Sequence, residues 1–330
     1  MSSNRGAFRL ERVRSFGAVF NDTKRILREN LSAFLGVLVL IIGPVVLTTT
    51  TLNVYYINYL FDGKEFYEFE NFGSYIGFRS LLSQSTSLFN GLFAALVISH
   101  FLKVCREKGS GRFSVSDVSY SLRKDAGTAI IQFVLLLVLC AALGICITAI
   151  LIWMASESSG GVAGLIIFFG AVGYMLLRYP FWHIVFSIFM ARGSTTGAPG
   201  NTQRPGWFES FSLATTVMSG QWWRTWAVMF CMWALLMAVG YLITITSSFG
   251  SQILDMFGLQ ASFDEVTQTL INTIFQIVSD FARTLVNCVF CVAVGLHYYS
   301  LKEFKFGYTI TEQLNKIGNN STDEDVELSY

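Results

Sequence analysis

Six apolar runs, each long enough to cross a bilayer, divide the 330-residue chain, and no other feature restricts its fold so strongly. A membrane helix needs about 20 mainly apolar residues to traverse roughly 30 Å of hydrocarbon. The runs lie near Leu31 to Tyr59, Phe78 to Val104, Gly127 to Ala155, Gly161 to Met190, Trp222 to Ser248 and Ile271 to Leu301. Backbone groups in hydrocarbon must bond within their own segment, so runs of this length predict helices. The composition agrees, with 53% hydrophobic and only 14% charged residues. That balance excludes a water-soluble globule and a disordered chain. The expected class is an all-α polytopic membrane protein.

The basic residues set an expected orientation. Arg5, Arg9, Arg12, Arg14, Lys24, Arg25 and Arg28 precede the first run, and Lys103, Arg106, Lys108, Arg112, Arg123 and Lys124 separate the second and third. Arg192, Arg204 and Arg224 follow the fourth, and Lys302, Lys305 and Lys316 follow the sixth, so nineteen of 23 basic residues fall on one side. The positive-inside rule makes that side, with both termini, cytoplasmic. The first run exceeds a signal-peptide h-region and is read as an uncleaved span of a bacterial inner-membrane protein. Three regions are expected: a basic amphipathic N-terminal helix over 1–30, a six-span domain over 31–305, and a cytoplasmic tail over 306–330, acidic at its end.

The polar segments before the odd-numbered spans share a plan. SFGAVFNDTKRILRENL, SVSDVSYSLRKDAG and SFSLATTVMSGQWWR each begin with Ser, a helix N-cap signal, and run through an amphipathic stretch into a hydrophobic helix. The expected architecture is three units, each an interfacial helix followed by a helical hairpin. Such a helix places apolar residues, here Val19, Phe20, Ile26 and Leu27, at the acyl boundary and basic residues at anionic headgroups. Arg12, Lys24, Arg25, Trp222, Trp223 and Arg224 are the expected lipid or partner contacts.

The stretch from Gly173 to Leu236 contains an Arg-bearing span with a downstream proline, Arg178 and Pro180, then a Gly/Pro/Ser-rich linker. An amphipathic segment ending in Gly220, Trp222, Trp223 and Arg224 follows, and then another span. This pattern resembles the membrane domain of glycerophosphoryl diester phosphodiesterases and the related bacterial YciC-like proteins. The resemblance implies a six-span plan over most of residues 15 to 305. It does not carry the esterase activity, because a catalytic barrel of about 250 residues has no room in this chain.

Ionisable residues inside spans are the first candidates for function. Arg178, beside the helix-kinking Pro180, reads either as a phosphate contact or as an arginine bonded to freed carbonyls. Asp280 and Arg283, three residues apart on the sixth span, share a helix side and pair either as an ion or proton relay or as a structural bridge. His100, His183 and His297 fall in the inner halves of the even-numbered spans; convergence would favour a metal or haem, and separation would favour headgroup-level histidines. Cys288 and Cys291 read as a redox pair or as small packing residues. No nucleophile elbow, H-E-x-x-H, Walker loop or G-x-G-x-x-G pattern occurs. The expectation is therefore a non-enzymatic component without cofactor or nucleic acid. Its partners would be membrane phospholipids and other membrane proteins, with a small anion, lipid or solute transporter as the alternative.

Overall fold

A computed structural model describes residues 10, 12–61, 72–156, 182–190, 206–256 and 265–307. These residues are helical with no strand among them. The helices are α1 (Phe16–Glu29), α2 (Leu31–Val37), α3 (Gly43–Phe61), α4 (Phe72–Lys108), α5 (Val115–Lys124), α6 (Ala126–Ser156), α7 (182–190), α8 (Trp207–Met218), α9 (Trp222–Met256) and α10 (Glu265–Phe306). Among the described residues, Leu31–Tyr55, Ser85–Lys108, Trp222–Leu242 and Thr273–Phe306 form four helical stretches long and apolar enough to cross a membrane. The backbone of α6 extends for 31 residues, and its apolar segment Ala126–Cys140 is described in full. The first part of the expected fourth span, including Arg178 and Pro180, lies outside the described residues, as do residues 62–71, the linker at 191–205 and the tail from 308.

Helices α2 and α3 are joined by a π-helical turn, Leu38–Ile42, in which the Gly43 amide donates back to the Leu38 carbonyl. Pro44 follows immediately. Proline has no amide hydrogen and its ring crowds the preceding turn, so a widened turn keeps the helix continuous.

Two of the three expected serine caps form. Ser15 Oγ accepts from the Ala18 amide at 3.4 Å and opens α1. Ser114 opens α5, with the Asp117 carboxylate accepting from the Ser114 amide at 2.9 Å. The third differs. Gly206 starts α8, and Ser210 is buried one turn inside, its hydroxyl bonded to the Gly206 carbonyl. Glu209 accepts from the Gly206 amide, so the acidic residue in the first turn satisfies the helix end that serine was expected to cap.

The three short amphipathic helices pack on the far ends of α4 and α10. α1 and α8 lie on α10, and α5 lies on α4 and α2. Asn30, between α1 and α2, pins this layer. Its Nδ2 donates to the Ile26 carbonyl and to Ser110 Oγ, while its Oδ1 accepts from the Gly111 amide. Gly109 and Gly111 have φ of 84° and 76°, the left-handed backbone that the tight α4–α5 connection needs. Beneath the layer, the C-terminal halves of α4 and α10 and residues 185–190 contribute much of the buried hydrophobic core. Gly295 is where α10 comes closest to its neighbours: a Cβ there would collide with Leu102 and meet the Phe186 ring at 3.1 Å.

The packing corrects the expectation for α1. Val19 and Ile26 are not at an acyl boundary; both are sealed inside the protein. The apolar periodicity of α1 thus serves the α10 contact, and Phe16 and Phe20 remain exposed.

Candidate functional site

Two polar clusters stand out, one under the amphipathic layer and one between the outer halves of α3, α4 and α10.

The first begins with the segment before α1. The Arg14 side chain is fully buried, and its Nε donates to Asp22 at 2.7 Å while Nη1 donates to the carbonyls of Leu10 and Arg12. Arg12 grips the same carboxylate through Nη2 at 2.6 and 2.7 Å. Burial pulls the Arg14 guanidinium below its ordinary range, and the hydrogen bond and charge of Asp22 pull it back. The Arg14 backbone is fastened as well: its amide donates to Ser300 Oγ at 2.7 Å, and its carbonyl accepts from Arg224 at 2.7 Å.

Several of the expected lipid or partner contacts also have partners within the protein. Arg224 turns inward to the Arg14 carbonyl, with its guanidinium 6.0 Å from the centre of the Phe304 ring. Arg12 is engaged by Asp22, although half its side chain is exposed, and Arg25 pairs with Glu29 one turn on, at 2.7 Å. Arg25 finds its carboxylate one turn on, Arg12 finds Asp22 ten residues on, and Arg224 finds a carbonyl 210 residues away, each within the folded chain. Lys24, Trp222 and Trp223 do face outward, Trp223 being 70% exposed. Gly220, with φ of 79° and open space around it, makes the turn that delivers Trp222 and Trp223 from α8 to the start of α9.

The histidines lie inside the protein. All three are buried, and two of them meet. The rings of His183 on α7 and His297 on α10 lie edge to face with centroids 5.4 Å apart. His183 Nδ1 bonds Ser187 Oγ at 3.2 Å, and His297 Nε2 bonds Thr225 Oγ1 at 3.3 Å. His100 is held separately by Ser121 of α5 at 3.1 Å. No group of three His, Cys, Asp or Glu side chains suited to a metal occurs among the described residues. Cys288 and Cys291 are buried free thiols in the core.

The second cluster contains Asp280. Its Oδ2 accepts from Thr50 Oγ1 of α3 at 2.9 Å, and Gln276, one turn earlier, reaches both carboxylate oxygens at 3.3 and 3.4 Å. Arg283 approaches only to 3.8 Å and leaves 60% of its side chain exposed. The expected pair is thus loose, and the closest partner of Asp280 is a hydroxyl on another helix. Thr49, the neighbour of Thr50, donates to Asn90 Oδ1 of α4 at 3.0 Å. These partners were not legible beforehand, because threonine and asparagine carry no charge and pass unnoticed in an apolar run.

No protein-family model, no curated protein and no solved structure matches this chain.

Proposed function

We propose that this chain is a non-enzymatic, multi-pass component of a bacterial inner membrane, with both termini in the cytoplasm, that binds phospholipid and protein partners within an envelope assembly. The proposal includes six spans in three units, each an amphipathic helix followed by a hairpin. It also places the chain beside the membrane domain of the glycerophosphoryl diester phosphodiesterase and YciC-like group.

The observation that carries this reading is the division of the molecule into a packed end and a bare wall. At the packed end Arg14, Asp22 and the three histidines are buried and hydrogen-bonded within the protein, whereas α6 and α9 present Ile131, Val134, Val138, Leu235, Val239 and Leu242 outward. A wall of this kind suits lipid tails or the helices of another membrane protein. Trp222 and Trp223 at its edge suit the headgroup level.

The test is purification in nanodiscs from native membranes, followed by mass spectrometry of the co-purifying proteins and lipids. Stoichiometric protein partners that are lost when Leu235 and Val239 are both changed to Ala support the reading. A protein recovered alone, with the bulk lipid mixture around it, contradicts it.

A further inference from the structure

The outward sides of α1 and α5 share a pattern that their inward packing does not use. Phe16, Phe20, Lys24 and Arg28 recur every four residues on α1 and all are exposed, while Val19, Asp22 and Ile26 on the opposite side are buried. Each step of four residues turns by about 40°, so this stripe sweeps from two aromatic rings to two cations. On α5, Tyr120 and Lys124 are exposed at the same spacing, with Arg123 exposed beside them. The acids of these two helices are already engaged: Asp22 by Arg12 and Arg14, Glu29 by Arg25, and Asp117 by Lys108. The side chains of Lys24, Arg28, Arg123 and Lys124 have no hydrogen bond or ion pair among the described residues, so they form a surplus of positive charge.

Connectivity fixes the depth of that charge. α5 is tied at both ends to long helices, since α4 ends at Lys108 and α6 begins at Ala126, and α5 itself extends only about 15 Å. α1 ends just before Leu31, where the first candidate span starts, and Asn30 bonds it to Ser110 and Gly111 of the α4–α5 connection. Both helices therefore lie at the level where spans leave the hydrocarbon. Exposed Leu31, Leu35 and Val39 carry the apolar side on from Phe16 and Phe20 into the first span. At that level aromatic rings suit the acyl boundary, and cations suit the headgroup phosphates beside it. We propose that the outer sides of α1 and α5 dock on anionic phospholipid, with Phe16, Phe20 and Tyr120 at the acyl boundary and Lys24, Arg28, Arg123 and Lys124 on headgroup phosphates. A zwitterionic headgroup brings its own cation and leaves the surplus charge uncompensated, whereas an anionic one neutralises it. The proposal rests on the reading of the chain as a phospholipid-binding membrane protein and names the lipid class.

The experiment is native mass spectrometry of the full chain released from nanodiscs made of equal parts phosphatidylcholine and phosphatidylglycerol. The expected result is retained lipid richer in phosphatidylglycerol by roughly fivefold or more, the preference that a single Lys or Arg gains at an anionic surface. Lys24→Gln, Arg28→Gln, Arg123→Gln and Lys124→Gln together are expected to bring the retained lipid close to the bulk ratio. The thermal midpoint is expected to stay in place, because all four side chains are exposed. The pair on α1 or the pair on α5 changed alone is expected to lose part of the enrichment, and Lys24→Arg with Lys124→Arg, which preserve the charge, to keep it. A bulk lipid ratio for the unaltered chain, or undiminished enrichment in the combined variant, overturns the proposal. Either result leaves the loss of protein partners on changing Leu235 and Val239 untouched, so the two readings fail separately.

Discussion

Helices α4 and α9 have nearly the same mean hydropathy over their most apolar stretches, yet 78% of that stretch is buried in α4 and 28% in α9. The difference lies in what each helix offers its neighbours. α4 carries Gly91, Ala94, Ala95, Ser99 and His100 on closely approached faces, and it meets α3, α5, α6 and α10. Small residues allow backbones to approach, and in lipid that approach drives association, because apolar tails compete equally for large side chains. α9 presents Leu235, Met237, Val239, Tyr241 and Leu242 outward and packs mainly on α10. Hydropathy therefore identifies a span, but small and polar residues decide whether it becomes an interior helix or a wall.

The largest effect that sharpens this contrast is expected at the packed end. Asp22→Ala takes the carboxylate from the sealed Arg14 guanidinium, and the loss of one partner from a buried ion pair costs about 3 to 5 kcal/mol. A lower thermal midpoint in nanodiscs, with α1 amides exchanging faster with deuterium, checks it. Unchanged exchange in α1 would mean that Arg14 is not the fastening. Next comes Gly295→Ala, which forces Leu102 and the Phe186 ring aside and is expected to cost about 1 to 3 kcal/mol. Its counterpart on the wall, Leu235→Ala, is expected to change the midpoint by an amount within about 0.5 kcal/mol. Comparable losses at the two positions would break the distinction between interior and wall.

The smallest effect concerns pH. The Lys108 ammonium, 2.6 Å from Asp117, and the Ser114 amide hold the Asp117 carboxyl below the usual carboxylate range. A carboxyl depressed by folding stabilises fully above its unfolded value, near 3.9, and that contribution is lost as the pH falls through the folded value. Protection of the α5 amides is thus expected to hold from neutral pH to about pH 4 and to decline only below it. In Asp117→Asn the decline should be absent.

The sequence was informative where local chemistry decides the outcome. Span two, expected from Phe78 to Val104, lies inside α4, and Ser15 and Ser114 cap helices because a serine oxygen before a periodic segment meets an amide two or three residues on. It was uninformative where the partner is distant in the chain. Periodicity shows that Val19 and Ile26 share a face, but nothing local distinguishes a cover of acyl chains from a cover of α10. Arg224 looks like a headgroup contact until the Arg14 carbonyl, 210 residues earlier, arrives beside it. The meeting of His183 with His297 and of Thr50 with Asp280 depends on the same long-range registration.

The central claim is that α1 spends its inner apolar face on protein while α9 leaves its face to the surroundings. Site-specific photo-crosslinking from a diazirine side chain at position 26 and at position 235, in native membranes, tests this most directly. The account predicts that position 26 links within the chain, to α10 or its neighbours, and that position 235 links to lipid or to another protein. Lipid adducts at position 26, or purely intrachain links at position 235, would contradict it.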